Sequence, residues 1–525
     1  MKLINFSLIL LSTLCFVRNG NGARILAMFP VPAPSHFSMY RGVLMDLANR
    51  GHQIDVVSHF PLKYPFDNYR DIIDLNGKME VMVNTLDFET VSRVGDIAVE
   101  EYGAEKAGND ICHILGNPEI QELIKNPPQD PPYDLVIAEL FFSSCFFAFG
   151  RHLNVPVVAM TSAPTLHYSN EPLGNPLNPA IVPEYEDGSI IHMNFWQRLR
   201  NTLFTFNKIR RIRSITEVQN DVVKKYFGSD MPGVRELERD LSLLLVNSHH
   251  TLNGIRPMTP AILEVGGIHL RFENVELPAD LQNWLDNATS GFIYFSFGTL
   301  LKIESLPKEF LAELYSGFSK IAPIRVVMKS TNPEELPPGL PQNVMTLKWL
   351  PQIEILRHRN IRGFVTHGGL GGIQEATVFV VPIVGIPIFA DQPRNIRNCV
   401  ERGVAVSLNY REFTADKFVS AINEIIHDPK YKNNMMRLSA QFMDRPMDPR
   451  ELAIYWIEYI ITYGGDSLRS PAVQLTWWQL ALLDVYGSIF VAALVTIYVA
   501  KLFISALIRR VIRSSKTVPV TKKKN

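Results

Sequence analysis

Two stretches of this chain repeat one grammar, in which a short apolar run, a turn, and apolar residues at helical spacing follow one another. In the first, residues 23–30 (ARILAMFP) suit a buried strand, and Phe37, Tyr40, Leu44 and Leu47 then recur at helical spacing. Ser35 can cap that helix and Gly51 can end it, before a second strand over Gln53–Ser58. A further unit has strands at 133–140 and 155–161 with a helix running through Arg151. The pattern restarts after about residue 255, with strands expected at 291–297, 325–329, 344–348, 362–366 and 383–389, and helices at 307–321, 353–359 and 371–378. Repeated βαβ units imply parallel sheets covered by helices, with ligands bound at the carboxyl ends of the strands. The expectation is an α/β chain with two such domains facing a cleft, joined through the Pro- and Gly-containing stretch 253–267.

The two ends read differently. Lys2, the apolar run from Leu8 to Val17, and small Gly20 and Gly22 form a signal-peptide pattern over residues 1–22. Residues 485–508 are apolar apart from Lys501 and long enough to cross about 30 Å of hydrocarbon. Trp477 and Trp478 precede this run, and the seventeen residues after it hold seven Lys/Arg and no acid. By the positive-inside rule that tail is cytosolic. The expected order is signal peptide 1–22, first domain 23–252, second domain 253–465 with closing helices, juxtamembrane segment 466–484, transmembrane helix 485–508 and basic tail 509–525. The final Lys522–Lys523–Lys524–Asn525 resembles a dilysine retrieval signal, so the expected location is the endoplasmic reticulum membrane, single-pass, with the body lumenal.

Formal net charge is zero, and the body between the two basic ends is net acidic. This excludes nucleic acid as the main partner. Cys112, Cys145 and Cys399 remain after the signal, widely spaced, with no visible disulfide framework or zinc spacing. Asn287–Ala288–Thr289 is a glycosylation sequon. Residues 194–218 mix Phe, Trp and Leu with Arg and Lys, and Trp196, Leu199, Leu203 and Phe206 share one helical face. Both an interfacial membrane helix and an ordinary domain helix with a solvated basic face fit that pattern.

The densest chemistry lies in 363–372 (GFVTHGGLGG), a Gly-rich link from strand to helix. Small residues let a phosphate approach the backbone, and a helix N-terminus offers free N–H groups. The loop is neither G-x-G-x-x-G nor a Walker loop. His367 at the strand end can donate to a diphosphate, and Glu375, eight residues on, can accept from ribose hydroxyls.

With Trp349–Leu350–Pro351–Gln352 before it and GIPIFADQPRN (385–395) after it, FVTHGGLGGIQEA (364–376) resembles the UDP-glycosyltransferase family. The likeness is to the animal microsomal branch, with the look of an invertebrate member, and covers essentially the whole chain. It implies the glycosyltransferase B fold, two Rossmann-like domains with the donor held by the second. It implies that Trp349 stacks on uracil, that Gln352 approaches the nucleotide, and that Ser296 and Gly298 lie near the diphosphate. It further implies that His367, Gly369 and Gly371 line the phosphates, Glu375 holds the ribose, and Asp391 and Gln392 hold the sugar.

The resemblance places the catalytic base at His36, which would take the acceptor proton while UDP leaves from the opposite face, inverting configuration. The family usually orients this base with an aspartate; here the matching position is Glu139, whose extra methylene changes the reach. No D-x-D triplet occurs, so no metal and no other cofactor is expected, and helix N–H and positive groups must stabilise the leaving diphosphate. Expected partners are a UDP-sugar, a small lipophilic acceptor, the membrane and a further copy of the chain. Glucose is favoured as the sugar over glucuronic acid, whose carboxylate Arg394 could meet. Family members usually carry Gly where this chain has Val380, and a β-branched residue resists the left-handed turn of a helix end. That oddity alone supports the competing reading of a weak or inactive UDP-sugar-binding relative.

Overall fold

Every residue of Arg24–Phe29 (β1) is buried, as a strand in the middle of a sheet covered on both faces requires. Alternation sends its side chains to two different cores. Leu26 and Met28 join Val136, Ala138 and Ala159 on one face. Ile25, Ala27 and Phe29 join Phe37, Tyr40 and Leu44 on the other. The computed structural model describes residues 22–96, 99–184, 193–270, 272 and 275–515. The expected signal peptide up to residue 21 and the lysine-rich end lie outside the described residues.

Around β1 stand β2 (Gln53–Ser58), β3 (Tyr69–Asp74), β4 (Leu135–Glu139), β5 (Val157–Thr161), β6 (Leu241–Val246) and β7 (Ile262–Glu264). They form one parallel sheet in the order β3-β2-β1-β4-β5-β6-β7. The second sheet holds β8 (Phe292–Ser296), β9 (Arg325–Lys329), β10 (Val344–Leu347), β11 (Ile361–Thr366), β12 (Ile383–Gly385) and β13 (Ala405–Ser407). Its order is β10-β9-β8-β11-β12-β13, again all parallel. Counted from its own first strand, the second sheet runs 3-2-1-4-5-6, the Rossmann order, and the first runs the same way with β7 added beyond β6. Each therefore has a switch point, between β1 and β4 in one and between β8 and β11 in the other.

Several expectations are corrected. The boundary at 252/253 is crossed twice, because β7 pairs with β6 and the helix Pro449–Tyr463 packs Ala453, Ile454, Ile457 and Ile460 into the first lobe's core. Its apolar stripe fits the face beside the helix Pro34–Asn49, and Arg50 bonds Glu458 at 3.0 Å. Ser35 does not cap that first helix: Ala33 is the cap residue and Pro34 the first helical one, because proline's fixed φ starts a helix well. Gly51 does end it, at φ +92°, with its N–H on Ala48 O. The strand expected at 383–389 stops at Gly385, since Pro387 cannot extend a ladder. Cys112 and Cys145, unpaired by sequence spacing, form a disulfide between buried segments, and Cys399 is buried and free.

The chain divides into a unit ending at Ser470 and a second from Pro471. The second unit carries a short helix at Trp477–Leu480 and then a single helix, Leu483–Ser515, of 33 residues. At about 1.5 Å per residue it is long enough to cross a bilayer.

Candidate active site

The first switch point brings together residues that the sequence keeps far apart. His36 stands in the first turn of the helix after β1, and Glu139 is the last residue of β4. His36 Nδ1 and Glu139 Oε1 are 2.7 Å apart. The longer glutamate therefore reaches the imidazole directly. Tyr40, one turn on, donates its hydroxyl to the same carboxylate oxygen at 3.0 Å. Burial and the Glu139 carboxylate hold the Tyr40 phenol well above its usual range, so it stays a donor. Phe141 packs edge-on against the His36 ring with centroids 4.7 Å apart. Neither Tyr40 nor Phe141 was expected at the site; Tyr40 was legible only as a core position of its helix. The His36 side chain keeps 18% of its surface exposed while Glu139 keeps 1%, so the imidazole alone faces the cleft.

The second switch point holds the Gly-rich loop. Ser296 ends β8 and is buried, and Gly298 follows at φ +78°. A Cβ on Gly298 would lie 2.7 Å from His367 Cε1, and one on Gly369 would lie 2.9 Å from His367 Nε2. The His367 ring thus fits between two glycines, and both are required by its approach. Burial, with the Lys329 charge, lowers His367 to about 4, so it is neutral. The helix Leu370–Val378 starts at Gly369, and its first intrahelical bond comes from Ile373 N–H. The N–H groups of Leu370, Gly371 and Gly372 remain at the helix's positive end, as an anion site needs.

Glu375 is held on this helix by two partners. His269 Nε2 lies 3.2 Å from one carboxylate oxygen, and the Gln352 amide donates to the other. Gln352 in turn accepts from Tyr294 Oη at 3.0 Å. Trp349 is 63% exposed, so it is not a core aromatic and leaves a flat face for a ring. Lys329, the last residue of β9, was missed by the sequence reading. Its Nζ lies 5.7 Å from the Trp349 ring centre and donates to Gly298 O at 2.6 Å. Burial pushes it down to about 8. A charged residue closing a buried apolar strand was the available signal. His269 was also missed, lying just past the stretch 253–267 read as a linker.

Asp391 follows Ala390, which takes φ +57°, and stands at the start of the helix Gln392–Glu401 without a side-chain cap bond. Burial raises the Asp391 carboxyl, while the Asn395 amide at 2.6 Å and the charge of His36 act the other way. Asp391 and the histidine of the first lobe are thus within electrostatic reach. Gln392 uses its carbonyl oxygen on the N–H groups of Ile388 and Phe389, at 3.0 and 3.1 Å. It shapes the loop. Arg394 is buried, not solvent-facing, and its charge acts on both Asp391 and His167.

Between the lobes, Asn84 N–H donates to Thr299 O at 2.7 Å and Leu86 N–H to Leu300 O at 3.1 Å, fastening the turn after Gly298. Gln374 donates to Asn247 Oδ1 at 2.9 Å from the helix that carries Glu375.

Comparison with known proteins agrees with this geometry. Residues 27–518 match the family described as UDP-glucoronosyl and UDP-glucosyl transferase. The chain belongs to the UDP-glycosyltransferase family. A UDP-glucosyltransferase 2 from Dactylopius coccus is 34% identical over 507 residues, covering 96% of each chain. A UDP-glucuronosyltransferase from Pleuronectes platessa is 32% identical, over 74% of this chain and 82% of its own. A solved glycosyltransferase of kitacinnamycin superposes with TM-score 0.55 at 17% identity, over 84% of this chain and 99% of its own, a likeness of fold. This UDP-glycosyltransferase has the glycosyltransferase B fold and is a hexosyltransferase.

Proposed function

We propose that this UDP-glycosyltransferase moves glucose from UDP-glucose to a hydroxyl of a small lipophilic acceptor, with inversion at the anomeric carbon. The carrying observation is the pairing of two switch points: His36 on Glu139 at one, and the His367–Gly369 cradle with its helix N-terminus at the other. His36 Nε2 takes the acceptor proton as the acceptor oxygen bonds to the anomeric carbon. Glu139 holds the ring and offsets the charge it gains. The bond from that carbon to the diphosphate oxygen breaks on the far face, and UDP leaves carrying the electron pair. The N–H groups of 370–372, with Lys329, answer the charge that develops there. Trp349 takes the uracil face, Gln352 the nucleotide, and Glu375 the ribose, with Ser296, Gly298 and Gly371 leaving room at the diphosphate. Asp391 accepts from the sugar hydroxyls, and Gln392 keeps its loop in place. No metal or other cofactor is required in this scheme, so chelation with EDTA leaves the rate unchanged.

Glucose is favoured because the scale-insect relative at 34% identity is named a glucosyltransferase, and because Arg394 is already engaged beside Asp391. Clearance of lipophilic small molecules is the role that follows. The helix Leu483–Ser515 is assigned as a single span, with the body in the lumen of the endoplasmic reticulum. A Cys112–Cys145 disulfide supports an oxidising compartment, and exposed Asn287 is available there for glycosylation. Mass spectrometry of products from mixed UDP-glucose and UDP-glucuronate with one planar phenol tests the donor. UDP release that persists unchanged in His36→Ala would sink the mechanism.

A further inference from the structure

The first half of the helix Phe195–Ile215 is folded inside out. The helix buries Asn201, Thr205, Lys208 and Ile212, and packs Ile209 and Ile215 against the core, while its aromatic residues and leucines stand exposed. Trp196 is 73% exposed and Leu203 65%, with Phe195, Leu199 and Phe206 beside them. At about 100° per residue these five fall on one stripe, opposite the buried face.

This setting is not a rotational accident, because the inner face is pinned by polar contacts. Asn201 donates to Pro179 O at 2.6 Å and Val182 O at 3.0 Å, and its own oxygen accepts from Glu184 N–H at 2.8 Å. Lys208 Nζ lies 3.3 Å from Glu184 and 3.4 Å from Glu100. An Asn194–Gln197 capping box fixes the start. Turning the stripe inward would strip Lys208, Glu184 and Asn201 of those partners in the interior, where unpaired charges and amides are strongly disfavoured.

We propose that this helix lies in the surface of a lipid bilayer, its apolar stripe among the upper acyl chains and its arginines at the headgroup phosphates. Exposed Arg200, Arg210 and Arg211 continue and flank the stripe on the same wheel, Arg211 also pairing with Glu101 at 2.6 Å, and this is the pattern of an interfacial helix. The proposal rests on reading Leu483–Ser515 as a span. With that anchor, the body's last residue, Ser470, is joined to Leu483 through twelve residues, at most about 45 Å of chain. A tethered body meets the bilayer at high effective concentration, so one helix of marginal affinity is enough. A second copy is a poorer occupant, since an isologous contact would bring the three arginines of one stripe against the same three of the other.

The test uses the full chain reconstituted in liposomes, with an environment-sensitive thiol label at Leu199→Cys, Leu203→Cys, Lys417→Cys or Ile497→Cys. The native background is quiet, because Cys112 and Cys145 are paired and burial pushes the Cys399 thiol up to about 12. UDP-release activity of each labelled protein reports that it is folded. Lipids carrying a shallow doxyl quencher should quench labels at 199 and 203 severalfold more than at 417, and a deep quencher should act at 497. Labels at 199 and 203 that behave like 417, with 497 still quenched, overturn the interfacial helix and leave the span standing. Loss of quenching at 497 overturns the span, and the tether argument falls with it. Energy transfer between labelled copies at 203 without lipid quenching assigns the stripe to a dimer and overturns the proposal.

Discussion

His36 Nδ1 and Glu139 Oε1 lie 2.7 Å apart, across 103 positions of sequence, because β1 and β4 are hydrogen-bonded neighbours at the first sheet's switch point. The glutamate's reach is taken up by the fold, so its length is part of the site. Shortening it by one methylene withdraws the carboxylate from both His36 and Tyr40.

His36→Ala should therefore lower kcat on the order of a thousandfold, the range of general-base loss, with little change in donor KM. Glu139→Gln and Glu139→Asp should each lose on the order of a hundredfold. Tyr40→Phe, which removes one hydrogen bond, should lose about tenfold or less. Steady-state UDP release at saturating donor measures all four. A Glu139→Asp enzyme with wild-type kcat would show that the dyad does not depend on this reach.

Trp349 offers an exposed indole face, and Glu375 is held by Gln352 and His269. Loss of a stacked ring costs about 1–3 kcal/mol, so Trp349→Ala should weaken UDP binding roughly 5- to 160-fold, and Trp349→Phe much less. Glu375→Ala should weaken UDP binding but spare free uracil, which has no ribose. Calorimetry with the two ligands separates the roles.

Much of this architecture was legible because strands buried on both faces are written as continuous apolar runs. Residues 325–329 and 53–58 came out with their observed bounds. What escaped depends on long-range partners. β7 is three residues long and gains its identity only beside β6. Cys112 and Cys145 meet through packing that spacing does not encode. Within the site, residues carrying a motif were legible, whereas Lys329 and His269 act through where their strand end and loop come to lie. The helix at 195–215 left both readings open because its periodicity gave a stripe without saying which side faces the body.

Lys329 gives the site a pH dependence. Burial lowers it to about 8, so its charge is present below that pH and is lost as pH rises through it. A diphosphate favours the charged form. Donor binding should be full at pH 7 and weaken by up to about tenfold at pH 9, with proton uptake on binding in between. Lys329→Arg should flatten this dependence while keeping affinity, and Lys329→Met should bind weakly at every pH. Calorimetric UDP titrations in buffers of different ionisation enthalpy measure both affinity and proton uptake.

Val380 occupies the left-handed turn that ends the helix Leu370–Val378, at φ +59°. Its N–H bonds Thr377 O at 3.2 Å, the Val381 N–H bonds Ala376 O at 2.8 Å, and Lys432 donates to the Val380 carbonyl at 2.6 Å. The helix thus ends as a glycine would end it, with the strain carried by a β-branched residue. Strain of this kind costs about 1–2 kcal/mol, but the Val380 side chain also packs against the core beside Phe379 and Val378. The two effects separate by comparing Val380→Ala with Val380→Gly. Both lose the packing, and only glycine loses the strain. The glycine variant should be more stable than the alanine variant by about 1 kcal/mol, read as a longer half-life of thermal inactivation in liposomes. Activity at 25 °C should match wild type in both, because the helix already places Glu375 and the N–H groups of 370–372 correctly. Equal half-lives for the two variants would mean the turn is not held left-handed, and the reading of Val380 as stored strain would have to be given up.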